Sequence, residues 1–578
     1  MTDAALPSGP TWAERLAARL PLVLLGLVLL LLGLRLQLVF TANVNWDEFL
    51  YLAKVHAQLR GELGSAFQSF QVHLFAWLAW VSDNEVEQVV AARLVVFALA
   101  LGSTGLLYLI GRRVLSMTAT LFALLCWQGF SYVVAHGTSF RADPICAFLI
   151  LAVLALLLRE RRVLWAPLLA GLSAALALLI SIKSLLFLPA VTGVFLYRAW
   201  RSEARKAALK EALIFFLSFS VATLLLYMSH KASLPITVKS DVASFAGQSA
   251  SKMFLGGDFF PRWLFFLRSL LQDPIVWLAM TAGGLLCIAQ VLNGKAETAR
   301  AALLLLAFAS PLLVLPLYRN AFPYFYVFIL APGVLLAGVA FERFLEARRE
   351  HNAALPLIAV LAVASVIVFG LIGRGAVLKA DETRAQHQLV AAVHQIFPEP
   401  VPYIDWAGMV SRYPKVGLFM SSWVLESYAV KGRPIFAGLI AERQPLFLLT
   451  DIRALDLESP WGEARAGDGF RLFREDYDAL KANYLPHWGP IWVAGKVVTL
   501  GGEAQDFEIL IPGDYRLEAE GPVAIDGVVH EPGAIVSLDP GGHRVVSRGP
   551  PQSATLRWAG ARPGPSEAPL DQPVYLGF

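Results

Sequence analysis

About eleven apolar runs, parted by short polar segments, fill the first two-thirds of the chain. They fall at Pro21–Phe40, Val89–Ile110, Leu115–Ala135, Pro144–Leu158, Val163–Ile182, Ser184–Tyr197, Ala212–Ser229, Ile275–Leu292, Ala301–Tyr318, Phe322–Phe341 and Ala354–Ile372. A helix of about 20 residues crosses the ~30 Å hydrocarbon layer, so each run predicts a membrane span. The two shortest, Pro144–Leu158 and Ser184–Tyr197, draw on their flanks. The first run is too long for a signal-peptide core, and no small-residue cleavage site follows, so it reads as an uncleaved span. Two connecting segments are long, residues 41–88 and 230–274, and Phe70 to Val81 within the first is amphipathic enough to lie in an interface.

The pattern changes after Gly373, where charge, proline and glycine return. Asp381 to Phe397 reads as a helix with His and Gln on one side. Short mixed segments at Val416–Ser421, Pro445–Leu449 and Ile491–Leu500 predict an α/β region over residues 374–502. From Glu503, alternating strands at Phe507–Ile511, Tyr515–Glu518, Val523–Ile525, Ala534–Leu538 and His543–Val546 are split by Pro-Gly and Gly-Gly turns. They predict a small β-sandwich over residues 503–578. The Pro-rich tail after Ala561 reads as loose. The expected fold class is thus a polytopic α-helical membrane protein, residues 1–373, with a C-terminal α/β plus β-sandwich domain.

Composition agrees. Hydrophobic residues make up 57% of the chain and charged residues 16%, with a mean hydropathy of +0.59. Such an apolar excess needs a solvent other than water. A net charge of +4 excludes nucleic acid as a bulk partner. Where the positive charges stand sets orientation. Arg15/Arg19, Arg112-Arg113, Arg159 with Arg161-Arg162, Arg198–Lys210, Lys295 to Arg300 and Arg343 to Arg349 fall in one alternating set of connections. The positive-inside rule makes that set cytoplasmic, so everything after Ile372 is expected outside, in the periplasm of an inner-membrane protein. The three cysteines, Cys126, Cys146 and Cys287, lie in apolar runs with no metal or disulfide spacing.

Candidate chemistry collects on the side opposite the basic set. Asp47 and Glu48 follow the first span, between Trp46 and Tyr51. Adjacent carboxylates at a membrane surface either cap the next helix at its positive end or serve chemistry, and the residues alone leave both open. Arg141 and Asp143 precede Pro144, where Asp143 also suits a helix cap. Lys183 stands alone between two apolar runs, and Arg319 precedes Tyr324. Isolated cations on the face that orientation tends to deplete suit a phosphate or pyrophosphate, and a carboxylate beside it suits a general base. His136 reads as interfacial, His387 and His394 as one face of a soluble helix, Tyr484 to Gly489 as packing, and Gly256-Gly257 as a loop hinge.

In this order the motifs resemble the GT-C glycosyltransferases that take sugar from a polyprenyl-phosphate lipid, bacterial lipid-A aminoarabinose transferases and protein O-mannosyltransferases in particular. The residues that carry the resemblance are Asp47, Glu48 and Tyr51; Arg141 and Asp143; Lys183 with Pro189; and Arg319, Tyr324 and Pro332. Ala91 to Leu94 followed by Gly111 to Arg113 adds to it. The likeness runs from Trp46 to Phe341. Many relatives carry Lys-Pro-Pro in the first loop. Here that region reads Phe70-Gln71-Val72-His73-Leu74-Phe75, and His73 or Lys54 stands where a substitute is needed. The terminal β-rich domain is not a general feature of either group.

The resemblance implies an inverting transfer to a lipid, glycan or protein acceptor of the cell envelope. Asp47 would activate the acceptor, Glu48 would orient a cation or the acceptor, and Lys183, Arg319 and Arg141 would stabilise the departing lipid phosphate. It implies no certain cofactor; a divalent metal assists some such enzymes, and Glu48, His56, His73 and His230 form no defensible ligand set by spacing. A transporter or flippase of envelope lipids, or an envelope assembly protein, is the alternative. A transporter would carry ionisable residues in mid-span and repeated halves, and the runs show almost none of the first and no obvious repeat.

Overall fold

The computed structural model describes residues 12–200, 205–235, 259–351, 362–366, 380–418, 421–465, 470–500, 504–547 and 552–576. The chain forms two compact units. One holds residues 1–42, 61–75 and 90–380; the other holds residues 43–60, 76–89 and 381–578. The long first connection is therefore shared out between the two.

The first unit is helical. Among the described residues six helices are long and apolar enough to cross a membrane, and the bent pair Phe325–Gly333 and Leu335–Glu346 brings this to seven. Their surfaces show why. On the Arg205–Ala232 helix, Leu213, Leu217, Leu224 and Leu225 are all more than 60% exposed, an apolar face that water would not tolerate. The runs expected from Leu115 to Ile182 form the shorter apolar helices Met117–Gly129, Ala142–Leu157 and Trp165–Ile180. The run at 354–372 lies almost wholly outside the described residues, as do residues 236–258 of the second long connection, including Gly256-Gly257.

Helices here approach through small residues, as expected where lipid supplies no hydrophobic drive for association. A methyl group on Gly171 would stand 2.6 Å from the carbonyl oxygen of Phe215, and one on Gly283 would stand 1.8 Å from that of Leu336. The expectation of spans almost free of ionisable groups misses Arg35. It is 1% exposed on the Trp12–Thr41 helix, and its guanidinium donates to Gln128, which donates in turn to Thr104 Oγ1 at 2.7 Å. Arg93 donates to the carbonyls of Val39 and Ala42, satisfying the orphan acceptors at the end of that same helix.

The second unit is built on two sheets. Strands β1 (Tyr403–Ile404), β2 (Phe447–Leu449), β3 (Tyr484–Trp488), β4 (Ile491–Leu500), β5 (Gln505–Ile509), β6 (Gly513–Glu518), β7 (Val523–Ile525), β8 (Val528–His530), β9 (Ile535–Leu538), β10 (Gly541–Ser547) and β11 (Gln552–Trp558) follow in chain order. One sheet runs β1-β2-β4-β11-β6-β9, with β3 also paired to β4; the other runs β5-β10-β7-β8. The ten-residue strand β4 crosses from the α/β part to the β-rich part, so a single sheet serves both. Of the mixed segment expected at Val416–Ser421, residues 419–420 lie outside the described residues, and Lys415 just before it bridges Tyr403.

Alternation explains the rest. Tyr515 and Leu517 of β6 turn inward with Leu556 of β11, to meet Phe507, Val523 and Val545 of the other sheet in one core. Ile525 and Val528 pair across a two-residue turn in which Asp526 and Gly527 both have positive φ, 51° and 85°; Asp-Gly is the pair that such a turn favours. The tail expected to be loose is tied down. Arg562 N–H donates to Ile396, Gln388 exchanges bonds with Ala568 and Leu570, and Trp488 Nε1 donates to Glu567. Proline removes donors but leaves these carbonyls free to accept.

Replacing fully buried Leu517 or Leu556 with alanine is expected to cost about 2–5 kcal/mol of the second unit's stability, read as faster amide exchange across β4, β6 and β11 in the full-length protein.

Candidate active site

In the first unit, the Ala142–Leu157 helix, the 3₁₀ turn Ile182–Phe187 and the turn before the Phe325–Gly333 helix bring four of the predicted residues together. Arg141 occupies the N-cap position without capping, so Asp143, in the first turn, is free for another role. Its carboxylate, 3% exposed, accepts from Lys183 Nζ at 2.7 Å and lies 3.9 Å from Arg141 Nε. Both cations also meet one ring. The Arg141 guanidinium is 3.5 Å from the Tyr324 centroid and Lys183 Nζ is 5.3 Å from it, distances at which the ring face attracts a cation. Two cations thus meet one carboxylate, in surroundings where an unpaired charge is costly.

Tyr318, which the sequence reading passed over, is buried at the same place. It is 3% exposed. Its ring packs 4.7 Å from Phe325. Arg319 sits in the same turn, and its carbonyl accepts from Arg262 Nε at 3.1 Å. Arg262 lies over the Phe322 ring, which stacks on Tyr324.

His73, also in the first unit, belongs to a chain of hydrogen bonds that fixes its tautomer. Ser69 Oγ donates to the Ser65 carbonyl at 2.8 Å, so it accepts from His230 Nε2 at 2.9 Å. His230 Nδ1 then carries no proton and accepts from His73 Nε2 at 2.8 Å. His73 Nδ1 is left as the port for an added proton. Desolvation lowers the pKa of His73.

In the second unit, the Trp46–Leu59 helix carries the paired carboxylates, and they divide the two roles left open above. Asn45 is the N-cap. Its side chain accepts from Asp47 N, and Glu48 reaches back to Asn45 N at 3.0 Å. Glu48 is therefore a capping-box residue, 1% exposed. Asp47 shares a helix face with Tyr51 and Lys54 at the i, i+4, i+7 spacing. Lys54 Nζ stands 5.5 Å from the Tyr51 centroid; burial lowers its pKa and Asp47 pulls it back up. His56 pairs with Gln88 at 2.8 Å. His394 pairs with buried Glu85 at 2.9 Å rather than with His387. Among the described residues, no three His, Cys, Asp or Glu side chains are grouped to hold a metal ion.

No family model matches the chain, and no curated protein matches its sequence. Solved structures do match its fold. An oligosaccharyltransferase of Archaeoglobus fulgidus in complex with zinc and sulfate is 11% identical, with a TM-score of 0.52 over 94% of this chain and 98% of that one. Its apo form gives 12% and 0.50, over 92% and 77%. ArnT of Cupriavidus metallidurans bound to undecaprenyl phosphate gives 14% and 0.50, over 74% and 93%. The fold is GT-C-like.

Lys183→Ala alone is expected to destabilise the first unit by about 3–5 kcal/mol, because Asp143 stays buried without its partner, while the charge-free pair Lys183→Met with Asp143→Asn recovers most of the loss in a thermal melt. The lowered pKa of His73 means that the unfolded chain takes up the proton first. The stability from this group is full above a pH of about 6.5 and falls below it. Imidazole ¹⁵N spectra are expected to show a neutral, Nε2-protonated His73 at pH 7.

Proposed function

We propose that this protein is a membrane glycosyltransferase that moves a sugar from a polyprenyl-phosphate donor to a cell-envelope acceptor on the periplasmic face. The observation that carries the reading is the buried cluster of Arg141, Lys183, Asp143 and Tyr324. A cationic cluster held rigid by its own carboxylate and a tyrosine ring suits a lipid phosphate. The same positive charge stabilises that phosphate as it leaves. The GT-C-like fold supports the reading.

In this mechanism Arg141, Lys183 and Arg319 hold the donor phosphate, and Tyr318 and Tyr324 orient the cations. The donor binds with its anomeric carbon open to attack. Asp47 takes the proton of the acceptor hydroxyl, that oxygen bonds to the anomeric carbon, and the carbon–oxygen bond to the phosphate breaks, inverting the centre. The phosphate leaves with the electron pair. Glu48 keeps the helix start in place, so its part is to position Asp47. Tyr51 and Lys54 stand on the same helix face as Asp47.

Two measurements test this. Asp47→Asn is expected to lower transfer by about 10²–10⁴-fold, the range of a lost general base, with unchanged membrane insertion; transfer at the original rate would remove Asp47 from the mechanism. The Lys183→Met, Asp143→Asn pair is expected to fold yet lose undecaprenyl phosphate binding in native mass spectrometry, and retained binding would sink the donor-site assignment.

A further inference from the structure

The start of the Asp47 helix is held by residues 382–386 and 574–576. Asn43, four residues before Asp47, donates through its side-chain amide to the carbonyls of Glu382 and Val574 at 3.3 and 3.0 Å. Its side-chain oxygen accepts from Leu576 N at 3.2 Å. Val44 is fixed in both directions by Gln386, whose amide accepts from Val44 N and donates to Val44 O, each at 2.8 Å. The Tyr575 ring then meets Trp46 and Phe49 edge-on, at 6.1 and 6.3 Å between centroids.

The Tyr575 phenol is itself buried. Its phenol pKa is raised, by burial first and then by the neighbouring carboxylates Asp451 and Asp405. Asp405 is fully buried and held by the backbone N–H groups of Gly408 and Met409 at 2.9 and 2.7 Å. Residues 574–576 thus reach, through Asn43 and the Tyr575 ring, the residues on either side of Asp47.

We infer that the C-terminal strap, residues 573–576 with Tyr575 at its centre, is a positioning element that sets the place of Asp47. It acts through Asn43 and the aromatic contacts with Trp46 and Phe49, and it does not touch substrate. The claim rests on the proposed role of Asp47. A misplacement of about 1 Å at a reacting group costs on the order of 10²-fold in rate, so a clamp on this turn is worth as much as a direct contact.

The test compares the full chain with a chain ending at Gln572 and with Tyr575→Phe. Hydrogen exchange across residues 44–52 reads the positioning. Sugar transfer in vesicles from the source cell, supplied with its own lipid-linked sugars and scored by mass spectrometry of the product, reads the consequence. The truncated chain is expected to lose protection over 44–52, keep it over 505–547, and transfer about 10²-fold more slowly, with undecaprenyl phosphate binding unchanged. Tyr575→Phe keeps the ring and is expected to match the full chain in both. Unchanged protection at 44–52 overturns the inference, whatever the rate. Loss of protection across both regions overturns it too, since the strap would then be a folding element. If protection at 44–52 is lost while transfer is unchanged, Asp47→Asn decides which claim fails: an active variant removes the role of Asp47, and an inactive one removes the strap's.

Discussion

A charge deep in an apolar surrounding must be paired. The pair of Lys183 and Asp143 meets that demand and organises what lies around it. Asp143 is nearly inaccessible and its ammonium partner is only 2.7 Å away, so neither moves without exposing the other's charge. Arg141 joins from the same helix start, and Tyr324 offers its ring to both cations. A buried ion pair is weak evidence of stability on its own. Here both cations share that carboxylate and the Tyr324 ring, so the charges are fixed against one another at one place.

The same economy of charge governs the helical unit as a whole. Arg35 is tolerated because Gln128 and Thr104 carry its hydrogen bonds inward. Arg93 is tolerated because it closes the open carbonyls at a helix end. Asp273 accepts from both the backbone and the hydroxyl of Ser131, joining two helix starts. These polar groups inside the bundle answer one another, as a membrane interior requires.

Much of this was legible in the sequence because the signals are local. The apolar runs, the strands from Glu503 onward and the isolated cations at Arg141, Lys183 and Arg319 declare themselves through periodicity or sidedness. Glu48 was legible in principle, since Asn45-Trp46-Asp47-Glu48 has the spacing of a capping box; beside Asp47 it read as a second carboxylate of the site. Arg35 was hidden by the apolar run that contains it, and Tyr318 by the ordinary use of tyrosine near interfaces. The sharing of residues 43–60 and 76–89 with the C-terminal unit left no trace. Asn43 and Glu382, His394 and Glu85, and Arg60 and Ser411 pair across 339, 309 and 351 positions, and no local pattern records a partner that distant. The tail was misread because proline was counted as a sign of looseness while its neighbours' carbonyls remained able to bond.

Asn43 and Val574 are 531 positions apart in the chain, and that distance is also an interval of time. Asn43, close before Asp47, leaves the ribosome 531 positions ahead of Val574. At the usual 5–20 residues per second, that wait is on the order of half a minute to two minutes. Gln386 arrives 342 positions after Val44, and Val574 and Tyr575 follow later still. A product that stalls before Val574 therefore lacks the partners that close the turn carrying Asp47, so the order of synthesis delays that turn behind the rest of its helix.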